Sequence, residues 1–221
     1  MDTSRQPPTQ DDLDRFRQRA RCFLRTHTAE VAAASTDDPR GDLALDRALG
    51  FQRALHAAGL AGLSVSRTFG GHGLPAAYET AWREEAGRFP LMTESLSITL
   101  GNCLRTLLEF GTDAQRRRHV PRILAGREVW CQLFSEPGAG SDIAGVQTRA
   151  APVTGGWLVN GQKVWTTFAH RANFGILLPA QTPPRPSTTV SRCSSSTSRL
   201  GAWRRARFVS WTARCTSTRS S

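Results

Sequence analysis

Apolar residues recur at steps of three and four through the first half of the chain. Leu13, Phe16, Ala20, Phe23/Leu24, His27 and Val31 form one such stripe behind Asp11. That is the period of an amphipathic helix, and Asp11 or Asp12 is placed to cap its first N–H groups. A loop around Pro39-Arg40-Gly41 follows, and Asp42 then opens a second stripe of Leu45, Leu49 and Leu55. This stripe stops at Gly59-Leu60, a glycine C-cap with its hydrophobic contact. After the loop Phe69-Gly70-Gly71-His72-Gly73-Leu74, a third helix opens near Pro75 and ends by Arg88-Phe89-Pro90. A fourth covers Thr93 to Glu109 and stops at Gly111. Thr112 and Gln115 have the spacing of a capping box, predicting a helix from Asp113 to about His119, and Pro121 starts a further turn through Leu124.

Near Val129 the period changes. Trp130 to Phe134 is a short apolar run ended by Ser135-Glu136-Pro137-Gly138-Ala139-Gly140-Ser141-Asp142. This reads as a buried strand running into a tight loop. Successive N–H groups in a glycine-rich loop make a concave anion site, suited to a phosphate or pyrophosphate across Gly140 and Ser141. Further on, Gly156 to Thr167 reads G-W-L-V-N-G-Q-K-V-W-T-T. Asn160-Gly161 between two β-rich arms predicts a hairpin turn. Trp165 with Thr166 and Thr167 offers a flat ring beside hydroxyls, suited to covering an aromatic ligand and hydrogen-bonding its edge. The fold class is therefore α+β. Residues 1–10 are expected to be disordered, 11–127 to form an all-helical domain with its boundary at Gly126-Arg127, and 128–178 to form a partial β domain.

The two stretches S-E-P-G-A-G-S-D and N-G-Q-K-V-W-T-T, in that order and spacing, resemble the middle-domain signatures of the acyl-CoA dehydrogenase family of flavoproteins. The resemblance implies a β-barrel-like middle domain behind the helical one, with FAD as cofactor. It implies that Gln132, Phe134 and Ser135 lie at the flavin ring and that Gly140 and Ser141 hold the pyrophosphate, Ser141 also lying near the acyl-CoA substrate. Trp165, Thr166 and Thr167 would flank the isoalloxazine. It further implies an electron-transfer flavoprotein or similar acceptor and a homo-oligomer.

Composition changes this picture in one place. The net charge is +11, but residues 179–221 hold eight Arg and no Lys, Asp or Glu, leaving an ordinary +3 for the rest. There is no long apolar run for a membrane span and no signal-peptide core. Cysteines 22, 103, 131, 193 and 215 have no metal-like spacing, and their odd number without a secretion signal suggests reduced thiols in a cytoplasm. Cys131 reads as a small buried residue. Histidines 27, 56, 72, 119 and 170 form no pair at ligand spacing, so no metal site is expected.

The tail, residues 179–221, contains ten Ser, seven Thr, eight Arg and four Pro, a composition expected to stay disordered. An Arg/Ser-rich tail also suggests a nucleic-acid-binding module on a helical scaffold, but it lacks Lys and repeated aromatic-basic spacing, with Trp203, Phe208 and Trp211 its only aromatics. A third reading is a frameshift near residue 178. When the last base of each codon is joined to the first two of the next, Trp211-Thr212 becomes GAC, Asp. Gln181-Thr182 then allows only Asp or Asn, Arg192 to Thr197 permits V-F-L-V-D, and Thr212 to Arg219 permits D-G-x-x-H-F-N-E. The family commonly reads R-T-D-P…F-L-V-D…D-G-x-x-x-F-N-E-V at this point. The expected product is a truncated, inactive dehydrogenase-like flavoprotein, with no catalytic residue assignable because the family's carboxylate base lies in the C-terminal helical domain. Glu136 is rejected as a substitute because it abuts a cofactor turn. A related acyl-CoA oxidase or flavin-dependent monooxygenase shares these two domains and remains the alternative.

Overall fold

The computed structural model describes residues 7–32, 41–91, 93–154, 156–180, 189–193 and 206–207. The expectations for residues 1–6, for Pro39-Arg40 and for most of 179–221, including Trp203, Phe208 and Trp211, lie outside the described residues. The chain divides into two compact units, Met1–Arg127 and Glu128–Ser221.

The first unit is helical: α1 (Gln10–Ala32), α2 (Asp42–Ala57), α3 (Ala76–Ala86), a π-helical segment (Ser97–Cys103) continuing into α4 (Leu104–Phe110), and α5 (Asp113–Leu124). The stripes read in the sequence make its core. Phe16, Ala20, Phe23 and Leu24 of α1 pack with Phe51 and Leu55 of α2, with Leu60 and Leu63, and with Ala81 of α3. Buried Glu85 on α3 takes both Arg21 Nε at 2.7 Å and Nη2 at 2.9 Å from α1, a two-pronged bond that fixes the register of the two helices. These bonds hold the Glu85 carboxyl below the ordinary carboxylate range.

The helix ends refine the expectations. Thr9, not Asp11, caps α1: its Oγ1 accepts from the Asp12 N–H at 3.2 Å while Asp12 Oδ2 accepts from the Thr9 N–H at 3.1 Å. This is the reciprocal pairing of a capping box, and Thr supplies it because a cap must stand outside the helix. Asp42 does not cap α2; Gly41 occupies that position without a side-chain bond, and Asp42 sits in the first turn, where its charge meets the exposed N–H groups. The α2 end follows the pattern read from Gly59-Leu60: Gly59 has φ +68, Leu60 N–H donates to Leu55 O at 3.0 Å and Gly59 N–H to His56 O at 3.0 Å. Helix α5 does not break at His119 but runs through Pro121, which falls in the last turn, where only one ladder bond is forfeited. The stretch expected as one helix from Thr93 begins as a 3₁₀ turn (Glu94–Leu96) and a π segment in which Leu104 N–H reaches back to Thr99 O. β-branched Ile98 and Thr99 and the flexible Gly101 are weak α-formers there.

In the second unit, β1 (Trp130–Leu133) pairs in parallel with β4 (Phe174–Leu177), with Gln132 opposite Ile176. Between them lies the antiparallel hairpin of β2 (Arg149–Val153) and β3 (Gly156–Asn160). The predicted turn at Asn160-Gly161 is therefore wrong. The chain turns between Val153 and Gly156, and Asn160 keeps negative φ, so no I′ turn forms. Every residue of β4 is buried, as a strand covered on both faces requires. Among the tail residues, β5 (Thr189–Cys193) pairs antiparallel with β4 and β6 (Ala206–Arg207) with β5, which corrects the expectation of a tail without regular structure. An open β4 edge accepts any extended segment, and Thr-Val-Ser is β-tolerant. No helix among the described residues is long and apolar enough to cross a membrane.

The capping box expected at Thr112 and Gln115 forms, with Thr112 Oγ1 accepting from Gln115 N–H at 3.3 Å and Gln115 Oε1 from Thr112 N–H at 2.8 Å. Thr112→Ala is expected to lower the stability of the helical unit by about 1 kcal/mol, measured by urea unfolding followed by far-UV circular dichroism.

Candidate functional site

β1 delivers its C-terminal end, Phe134 and Ser135, into a loop. Glu136-Pro137-Gly138-Ala139 closes on itself, Glu136 N–H donating to Ala139 O at 2.8 Å and Ala139 N–H to Glu136 O at 3.1 Å. The N–H groups of Gly138, Gly140 and Ser141, on and just beyond this turn, find no partner among the described residues, and Gly140 and Ser141 are exposed. Neither Gly138 nor Gly140 has positive φ, and an added Cβ at either would meet nothing within 4 Å. What these glycines leave open is the outer face of the backbone, not a strained turn.

The second candidate segment lies beyond β3. Val164 N–H donates to Ser135 O at 2.9 Å, so the stretch leading to Trp165 runs beside the strand end. The structure thus brings Phe134 and Ser135 together with the segment Lys163–Thr167. Gln132 sits on β1, half-buried. Among the described residues, Gly140 and Ser141 make no hydrogen bond to the 163–167 segment. Trp165 is 90% exposed and holds φ +57, and Phe168 holds φ +56. Two non-glycine residues in the left-handed region within four positions is costly backbone, of order 1 kcal/mol or more each.

Beneath these segments lies a group that sequence reading passed over. Lys163 Nζ donates at 2.8 Å to each of three acceptors: Phe134 O, Glu136 Oε1 and Leu178 O. Both side chains are shut from water, with 8% and 7% exposure. Glu136 in turn accepts from the Gln147 N–H at 2.6 Å and the Thr148 N–H at 2.9 Å. Burial by itself pushes the Glu136 carboxyl up, but bonds from Lys163 and the two backbone N–H groups, with the Thr148 hydroxyl beside them, outweigh it and pull the group down to about 2. Burial lowers Lys163 from its usual value, and Glu136 opposes that shift. The Thr148 hydroxyl itself has no partner in hydrogen-bond geometry. Lys163 had one sequence signal, a lone cation inside an otherwise apolar and hydroxyl-rich stretch. Nothing in the spacing paired it with Glu136, 27 residues earlier.

Cys131 is fully buried against Gly175, whose missing side chain lets β1 and β4 close. Gly161, expected as a turn residue, instead backs onto Thr148: a Cβ there would overlap the Thr148 side chain and stand 2.7 Å from its Cα. Gly161→Ala is accordingly expected to cost about 3 kcal/mol by overpacking, read from the denaturation midpoint of the purified chain. A second expectation concerns acid. The folded Glu136 carboxyl lies below its ordinary value of 4.5, so its stabilising contribution is complete above that pH and is lost as pH falls toward about 2. The second unit is expected to lose up to about 3 kcal/mol across that window, followed as near-UV circular dichroism against pH, and Glu136→Gln to flatten the acid limb.

Comparison with known proteins bears on both units. Residues 10–127 match the family model of the acyl-CoA dehydrogenase N-terminal domain, and residues 131–198 that of the middle domain, twenty residues beyond the end set for the partial β domain from sequence. The chain is 38% identical over 170 residues to acyl-CoA dehydrogenase IpdE1 of Mycobacterium tuberculosis, covering 76% of this chain and 44% of that protein. It is 53% identical over 81 residues to acyl-CoA dehydrogenase FadE34 of the same organism, covering 37% of this chain and 11% of that one. Among solved structures, the ChsE4-ChsE5 complex from Mycobacterium tuberculosis superposes with TM-score 0.60 at 26% identity, over 81% of this chain and 45% of that one. The chain spans less than half the length of these relatives. With both domain models matched in order, the chain belongs to the acyl-CoA dehydrogenase family.

Proposed function

We propose that this chain carries the flavin-holding part of an oxidoreductase that dehydrogenates an acyl-CoA thioester between its α and β carbons. What carries the reading is the seating of the 163–167 segment beside the strand end at Ser135, with Trp165 exposed on left-handed backbone above it. FAD would be held by Gln132, Phe134 and Ser135 at its ring, by Gly140 and Ser141 at its pyrophosphate, and by Trp165, Thr166 and Thr167 along the isoalloxazine. When bound, FAD supplies the acceptor for a hydride. The unpartnered N–H groups of Gly138, Gly140 and Ser141 fit a phosphate group, and the exposed indole of Trp165 fits an aromatic ring.

The residues of this chain bind, orient and exclude water; none of them is assigned the proton abstraction. Glu136 is a poor candidate. Three donors already engage its carboxylate, and a group held at about 2 is a weak base at neutral pH. Ser141 lies in the reading near the acyl-CoA. The same reading expects an electron-transfer flavoprotein as electron acceptor, a homo-oligomeric assembly and a cytoplasmic setting. It also takes residues after about 178 as translated out of frame, since a shift of one reading position turns Trp211-Thr212 into Asp and permits the family's F-L-V-D and F-N-E in order. The nucleotide sequence tests this: a shifted frame that stays open past codon 221 supports it, and one that meets a stop codon before then overturns it.

For the site, purified chain is titrated with FAD and followed by quenching of flavin fluorescence. Binding weaker than a flavoprotein's usual retention through purification is expected, without acyl-CoA-dependent bleaching. Trp165→Ala is expected to weaken FAD by roughly tenfold, since loss of a ring contact of about 1.4 kcal/mol is a factor of ten. No saturable FAD binding would overturn the reading. Bleaching by an acyl-CoA would place a base within residues 1–221.

A further inference from the structure

The Lys163–Glu136 pair joins four separate pieces of backbone. Lys163 itself follows β3. Its ammonium holds the carbonyl of Phe134 after β1, the carboxylate of Glu136 in the turn, and the carbonyl of Leu178 after β4, each at 2.8 Å. Glu136 adds the N–H groups of Gln147 and Thr148, just ahead of β2. An ammonium has three protons, and all three are used. The pair is nearly closed to solvent, and all of the lysine's protons are already bonded within the chain.

Its position relative to the candidate ligand residues is specific. Phe134 carries one of the three acceptors. Ser135 is bonded through its carbonyl to Val164, the residue after Lys163, and Trp165 follows directly. The strand-end segment and the Trp-Thr-Thr segment are thus held at a fixed spacing by one side chain lying behind both. The third acceptor gives the arrangement a condition. Leu178 N–H donates to Leu133 O at 3.2 Å, which carries the parallel β1–β4 pairing one step further, and only then is the Leu178 carbonyl presented to Lys163. With that acceptor missing, a buried ammonium would keep an unsatisfied proton, which is costly in a dry site.

We propose that Lys163 and Glu136 are positioning residues for the flavin site: touching no ligand themselves, they set the distance between Phe134–Ser135 and Trp165–Thr167, and they do so only once β4 is docked on β1 through residue 178. This rests on the flavin reading above. A simple stability element would instead leave the ligand segments in place whenever the unit is folded.

The experiment compares wild type, Lys163→Met, Glu136→Gln and Thr112→Ala, the last being a destabilising change confined to the helical unit. Each is titrated with FAD by fluorescence quenching at a temperature where far-UV circular dichroism shows it folded. Bound flavin is then examined by visible circular dichroism, which reports ring environment and not global stability. Lys163→Met is expected to weaken FAD at least tenfold and to alter the flavin signal at saturation. Glu136→Gln, which keeps the acceptor oxygen but not the charge, is expected to fall between it and wild type, and Thr112→Ala to stay within twofold of wild type with an unchanged flavin signal. Unaltered affinity and signal in folded Lys163→Met and Glu136→Gln, with wild type binding, would overturn the positioning role and leave the flavin reading standing. Failure of both variants to fold would reduce the pair to a folding element and overturn it as well. If wild type itself binds no FAD, the flavin reading falls and takes the positioning role with it.

Discussion

A buried ammonium is costly unless each of its three protons meets an acceptor, and the second unit supplies all three at Lys163. Two of its acceptors are main-chain carbonyls at strand ends and the third is a carboxylate. Each carbonyl lies one residue beyond its strand, Phe134 after β1 and Leu178 after β4. The carboxylate must itself be neutralised and bonded, which draws in the N–H groups ahead of β2. The ends of β1 and β4, the turn at Glu136 and the segment after β3 all meet at this one charge. A buried ion pair of this kind gains little net stability over an apolar pair of the same size, because desolvation offsets attraction. What it does supply is a geometry with one solution, since partial satisfaction is worse than none.

The helical unit is held by different means. Its core is a conventional meeting of apolar stripes, and its buried carboxylate Glu85 is met by Arg21 reaching in from a partly exposed position. There only the carboxylate is buried while Arg21 keeps partial exposure, so the pair links α1 to α3 without a closed polar centre. The two units therefore differ in how they tolerate change. Substitutions on the helical stripes trade packing volume, whereas a single change at Lys163 strands several polar groups at once.

Local signals were legible and nonlocal ones were not. The α1 and α2 stripes, the Gly59-Leu60 ending and the Thr112–Gln115 box each depend on residues within five positions of one another, and each appears as read. The cap of α1 fell to Thr9 rather than to Asp11 or Asp12, with Asp12 as its capping-box partner, because several polar residues in the preceding turn qualify. Asn160-Gly161 misled for a deeper reason. A glycine needed for close approach looks the same in sequence as one needed for a turn, and Gly161 serves the first purpose, against Thr148. The Lys163–Glu136 pairing was hidden because 27 residues and a hairpin separate its members. The left-handed backbone at Trp165 was hidden as well, because a tryptophan gives no local reason to adopt it. Local rules failing at Trp165 and Lys163, within the segment already marked for chemistry, is what is expected where a site overrides propensity.

The tail illustrates the difference between pairing and packing. Strand pairing asks of a segment only that it be extended, carry free N–H and C=O groups and lack proline at the paired positions. Thr189–Cys193 meets that condition, and it lies antiparallel on β4 from Leu177 back to Phe174. Packing asks for an apolar face at period two, and residues 179–221, with ten Ser, seven Thr and eight Arg among forty-three, have no such face to offer. A buried parallel pair such as β1–β4 needs both faces and both edges covered. β5 supplies the backbone partners that the free edge of β4 requires.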